Sequence, residues 1–518
     1  MIKNFKWLLL VSLTFIACNS NNDTVIVANS SDGLPLTAGS ANFSKYVSLG
    51  NSLCAGYSDG ALFKAGQMNS YPNILSQQFA LVGGGEFKIP YMNDNFGGLL
   101  LGGFQIQGTR LYLAPGNNPT PVTGTPTTEV TNVLTGPFNN MGVPGAKSFH
   151  LIAPGYGNIA GVPTGQANPY FVRFASSSGT TVLADAVAQN PTFFSLWIGN
   201  NDVLSYATSG GTGVNQLGNL NPATYGGNDI TDPNVFASVY STLLNQLTAG
   251  GAKGVVANIP YVNTVPFFTT VPTNPIPGLP PASAGQLNAL FGGINSALAG
   301  AGLPPRFATL VADDGNPATV EANPLLIKDE SLLNISAQIT AALTPILGGP
   351  TAGYLGSIYG QARHASNAPA SRDYILLTAR SVIGTTQSGA PSPFNTIGVS
   401  YPMQDNTTLT ATETAEVKTA TDAFNASIAS LASAKGLAFV DANAILSQVN
   451  NGGLVQSGYT MTSTYVTGNA FSLDGVHPSP KGYALIANKF LEAINAKYGS
   501  NFKGVNLGQY QILYPGSL

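Results

Sequence analysis

The chain has 518 residues, with 20 Lys and Arg against 23 Asp and Glu and a net charge of −3. Only 8% of residues are charged, against roughly 25% in ordinary globular proteins, while the hydrophobic share of 44% is ordinary. No basic run occurs, which excludes the clustered Lys/Arg footprint of a nucleic-acid binder, and the length allows one enlarged domain or up to about three ordinary ones.

Lys3 and Lys6 lead an apolar run over residues 7–17, too short for a membrane-spanning helix, which needs about 20 residues. The run ends in Phe15-Ile16-Ala17-Cys18 and turns at once into polar Asn19-Ser20-Asn21-Asn22-Asp23. A small residue before a Cys at such a boundary resembles a bacterial lipoprotein cleavage box, with Phe15 where Leu is usual. The resemblance implies a signal peptide over 1–17 and a lipid on Cys18. It also implies export and a lipid anchor in a bacterial membrane, at the outer membrane or cell surface. A plain secretory signal with an incidental Cys is the alternative. With Cys18 lipidated, Cys54 has no partner, and it is expected to be a small buried apolar residue. No second long apolar segment follows, so no transmembrane helix is expected.

Residues 18–42 are rich in Ser, Asn, Asp, Gly and Thr and read as a flexible tether. The main domain is expected over 43–498, followed by a tail over 499–518. Strand-like runs occur at 45–49, 192–198, 254–259 and 437–440; apolar almost throughout, they suit parallel strands covered on both faces. Helical spacing of apolar residues occurs at 236–247, at 412–434 (Val417, Phe424, Ile428, Leu431) and at 483–494. Strand–helix–strand repetition indicates an α/β sandwich.

Two stretches exceed a minimal α/β unit, about 80–140 and 261–400, and both read as insertions. The second holds two expected helices. One carries Leu287, Leu290, Phe291, Ile294 and Leu298 on a face, and the other Leu332, Leu333, Ile335, Ile339 and Leu343. This insertion leaves the sheet on the edge where open α/β sheets bind ligands, so it is expected either to cover the site as a lid or to add core.

Four short motifs carry chemistry. Gly50-Asn51-Ser52-Leu53 follows the first strand, and a Ser on a strand-to-helix turn is exposed beside helix-start amides. Alone, this motif reads first as a helix-capping Ser. Asn140-Met141-Gly142-Val143-Pro144-Gly145-Ala146 can bring a Gly amide to a developing oxyanion, or can be simply a turn. Gly199-Asn200-Asn201-Asp202 offers a side-chain amide for the same purpose, or an Asx turn. Ser472-Leu473-Asp474-Gly475-Val476-His477-Pro478 places a carboxylate and an imidazole three residues apart in one loop. Of the three histidines, His150, His364 and His477, only His477 has a carboxylate at a workable spacing. Asp313 and Asp314 lack the regular ligand spacing of a cation loop, and no metal is expected.

Together the four ordered blocks resemble the SGNH subgroup of GDSL-type hydrolases, across roughly residues 44–260 and 400–498. The resemblance implies a flavodoxin-like three-layer α/β/α sandwich with large loop and helical insertions. It implies Ser52 as nucleophile, His477 as base and Asp474 as its orienting acid. It assigns the oxyanion hole to the Ser52 and Gly142 amides and the Asn201 side chain. No cofactor is implied. Asn51 stands where the family usually has Asp, which leaves the nucleophile itself untouched. The implied substrate is a small ester, lipid-like or an acetylated glycan. The rival reading is a catalytically silent surface lipoprotein that binds lipid or glycan on the same scaffold.

Overall fold

The computed structural model describes residues 30–518. Tyr46–Gly50 (β1), Asn140–Gly142 (β2), Phe193–Trp197 (β3), Lys253–Ala257 (β4) and Ala438–Val440 (β5) form one parallel sheet in the order β5-β4-β3-β1-β2. Every residue of β1, β2 and β3 is buried, the pattern of strands covered on both faces. Four of these strands lie within two residues of the apolar runs in the sequence. β2 falls on the start of the 140–146 motif, which no apolar run marks as a strand, at the end of the 80–140 stretch.

Helices flank the sheet. Ser52–Ala55 (α1) and Tyr71–Ala80 (α2) follow β1, while Asn201–Thr208 (α3) and Pro233–Thr248 (α4) follow β3. The long insertion contributes Pro281–Gly300 (α5), Ser336–Leu347 (α6) and Gly349–Tyr359 (α7). Ala411–Ala434 (α8), Ala442–Asn450 (α9) and Pro480–Tyr498 (α10) complete the fold. α8 starts at a capping box in which Thr410 and Glu413 satisfy each other's amides. It packs on α4, with the Phe236 and Phe424 rings stacked at 4.2 Å. α10 is capped by Ser479 and has Pro480 at its first position. It packs on α2, with Tyr71 and Phe490 at 4.7 Å. Among the described residues, no helix is long and apolar enough to cross a membrane.

The apolar stripes of the 261–400 insertion are core. Phe291, Ile294 and Leu298 of α5 pack with Ile335, Ile339 and Leu343 in a hydrophobic cluster separate from that of the sheet. The lid expected as one alternative is therefore not formed by these helices. Leu332 and Leu333 also fall outside the expected helix: the Asn334 side chain accepts the Ser336 amide at 2.9 Å, and Leu333 is exposed. The insertion is tied down by a buried ion network. Arg363 donates to both carboxylate oxygens of Asp373 at 2.5 and 2.8 Å and to Asp329 at 2.6 Å. Asp373 also accepts the Ala411 amide at 3.1 Å, at the start of α8.

The expected flexible tether over 18–42 is corrected for its described part. Ser31 N donates to Asn501 O at 2.9 Å, Thr37 N donates to Asn501 Oδ1 at 2.8 Å, and Ala41 is buried. Long-range partners fix this segment despite its polar composition. Cys18 and the signal-like run lie outside the described residues. The 499–518 tail returns to the domain, where Arg110 Nη2 donates to Pro515 O at 2.7 Å and Tyr514 is buried.

Removing one partner from a buried ion pair leaves an uncompensated charge, at a cost of about 3–5 kcal/mol. Asp373→Ala is expected to destabilise the protein by about that amount in urea unfolding. An unchanged midpoint would show that the network does not anchor the insertion.

Candidate active site

Ser52 is the first residue of α1, directly beyond β1. No side chain fits at Gly50, where a Cβ would sit 2.5 Å from Trp197 O, so the chain turns tightly against β3. Asn51 caps α1 by accepting the Leu53 amide at 3.0 Å. It also donates to Asn200 Oδ1 at 3.2 Å, a bond that a carboxylate in its place could not donate.

His477 is delivered by the loop before α10. His477 Nε2 lies 2.8 Å from Ser52 Oγ, and His477 Nδ1 lies 2.9 Å from Asp474 Oδ2. Asp474 Oδ1 accepts the amides of Val476 and His477 at 2.9 and 2.8 Å. Burial raises the Asp474 carboxyl, but the His477 charge and these amide donors outweigh it and hold the carboxyl down at about 2. Asp474 is therefore an anion throughout the neutral range. The Tyr57 ring packs on His477 at 4.6 Å between centroids.

A turn beyond α1 clamps this loop. Gly60 N donates to Asp474 Oδ2 at 2.9 Å, Leu473 N to Asp59 Oδ1 at 2.9 Å, and Asp59 N to Ser472 Oγ at 2.9 Å. Asp59 and Gly60 carry no catalytic motif in the sequence, only the Asp-Gly signature of a turn. Burial pushes the Asp59 carboxyl up to about 7.

Asn201 sits at the start of α3 beyond the Gly199 turn, where φ is +115° and a Cβ would meet Ile259 at 2.5 Å. Its Nδ2 donates to Ala146 O at 2.9 Å, and the second N–H of that amide has no acceptor among the described residues. Asn201 lines one cavity together with Ser52 and His477.

Gly142 does not take the place expected of it. Its N–H is spent on Asn140 Oδ1 at 3.0 Å, and it packs so closely on α1 that a Cβ would lie 2.3 Å from Ala55 N. Gly145, three residues on, has φ +80° and an N–H with no acceptor among the described residues. It adjoins Ala146, the residue bonded to Asn201.

The other candidates are structural. His150 and His364 accept backbone amides through Nδ1, from Lys147 and Ala308, and burial pushes each down to about 4. Cys54 is buried with its thiol pushed up to about 12 by desolvation. Among the described residues, Asp313, Asp314 and Glu321 form one acidic trio and Glu330, Asp405 and Glu413 another, and neither lines the Ser52 cavity.

No family model, curated protein or solved structure matches this chain. The site thus stands on its own geometry: a hydroxyl, an imidazole and a carboxylate in one hydrogen-bonded line, the arrangement that lets a base take the hydroxyl proton.

If Asp474 orients the imidazole, Asp474→Asn should lower kcat on an activated ester by about 10⁴-fold while the far-UV spectrum is unchanged. Wild-type turnover by the folded variant would show that the carboxylate plays no part.

Proposed function

We propose that this chain is a serine ester hydrolase of the SGNH/GDSL type that cleaves carboxylic esters through an acyl-enzyme. The observation that carries the proposal is the contact of Ser52 Oγ with His477 Nε2 at 2.8 Å, backed by Asp474. The fold supports it. With strands numbered along the chain, the order 2-1-3-4-5 is that of flavodoxin-like sandwiches, and such sheets bind ligands beyond the carboxyl ends of their strands, where Ser52 and Asn201 lie.

In this reading His477 takes the Ser52 proton as Oγ bonds to the ester carbonyl carbon. The resulting oxyanion is held by the Ser52 amide, the Asn201 side chain and the Gly145 amide, which replaces the expected Gly142. Collapse breaks the C–O bond, and His477 returns the proton to the departing alcohol. Water then attacks the acyl-enzyme by the same route and releases the acid. No step calls on a cofactor. A lipid on Cys18 and a membrane location belong to the same proposal and rest on the sequence of residues 1–23.

Ser52→Ala is expected to lower hydrolysis of p-nitrophenyl acetate by about 10⁵-fold or more, with melting temperature preserved. Near-normal turnover by the folded variant overturns the assignment.

A further inference from the structure

The cavity that opens on Ser52 has a volume of about 130 Å³ and does not end at the reacting atoms. It continues past Leu204 and Ile259 to Leu446 and Val449 of α9, with Leu485 and Ile486 of α10 as a further wall. α9 begins two residues beyond β5, three strands away from β1 in the sheet. At a strand spacing of about 4.8 Å, the two ends lie about 14 Å apart. The cavity therefore runs along the carboxyl edge of the sheet.

Its polarity is uneven. Asn51, Ser52, Asn200, Asn201 and His477 gather at the β1 and β3 end. Lys489 also borders the cavity, but its ammonium is paired with Glu492 at 2.8 and 2.9 Å, which leaves its aliphatic stem as wall. A cavity walled by Leu, Ile and Val stays dry and takes apolar guests. Such a space, continuous with a nucleophile, fits an unbranched hydrocarbon chain whose ester group lies at Ser52.

We propose that this cavity binds the acyl chain of the substrate and that α9 sets its length. The inference rests on the serine-hydrolase reading above. The acyl group, and not the alcohol, is the occupant because it stays bonded to Ser52 through both half-reactions, whereas the alcohol must leave to solvent. An apolar cavity of about 150 Å³ holds a six-carbon guest, so this one takes an acyl chain of about six carbons. The walls are the sheet edge, α9 and α10, and the 281–359 helices take no part.

The test is kcat/KM on p-nitrophenyl acetate, hexanoate and dodecanoate. Hexanoate is expected to exceed acetate by about tenfold or more, and dodecanoate to fall about tenfold below hexanoate. Leu446→Trp, which fills the cavity, should lower the hexanoate-to-acetate ratio about tenfold, and Leu446→Ala should move the optimum to longer chains. A ratio does not depend on how much of each variant folds. Equal turnover of acetate and hexanoate by the wild type, or a ratio moved by neither substitution, overturns the acyl cavity while the hydrolase reading stands. An optimum at dodecanoate overturns the length limit. Absence of turnover on every ester, acetate included, overturns the hydrolase reading and this inference with it.

Discussion

Ser52 and His477 are 425 residues apart in the chain, and Ser52 Oγ and His477 Nε2 are 2.8 Å apart. The site depends on closing that distance within the small tolerance that a reacting geometry allows. The parallel sheet does the coarse work, since its carboxyl edge presents Ser52 and Asn201 side by side. The clamp between Asp59-Gly60 and Ser472-Asp474 does the fine work. It joins the segment after Ser52 directly to the loop that holds His477. From the other side, Phe267 N donates to Gly475 O at 2.9 Å and holds the same loop.

The chain carries few charges, and amide side chains do the work that ion pairs do elsewhere. Asn288, Asn295 and Asn323 each donate to a backbone carbonyl across the insertion, to Leu310, Phe307 and Pro277. At the site Asn201 donates to Ala146 O, and Asn51 to the Asn200 side chain. The ion pairs most shielded from solvent among the described residues are those of Arg363 with Asp329 and Asp373 and that of Asp474 with His477.

Much of this was legible in the sequence. Parallel strands buried on both faces are apolar runs, so β1, β3, β4 and β5 stand out; β2 has three residues and is defined only by pairing with β1. The four blocks identified Ser52, Asn201, Asp474 and His477, which the fold brings to one edge. The choice between Gly142 and Gly145 was not legible, because it turns on where the Asn140 side chain points. Nor was the role of the insertion stripes, since helical spacing shows that a face is covered and not by what. Residues 30–42 read as tether because local polarity carries no trace of Asn501, more than 450 residues downstream in sequence.

The central claim is that Ser52 is a nucleophile made reactive by His477. A fluorophosphonate probe tests it without any assumption about the natural ester, because it bonds only to an activated serine. Intact-mass and peptide mapping should show a single adduct, on Ser52, that is lost in a folded His477→Ala protein. No adduct on the folded wild type, or an adduct on a different serine, would contradict the account.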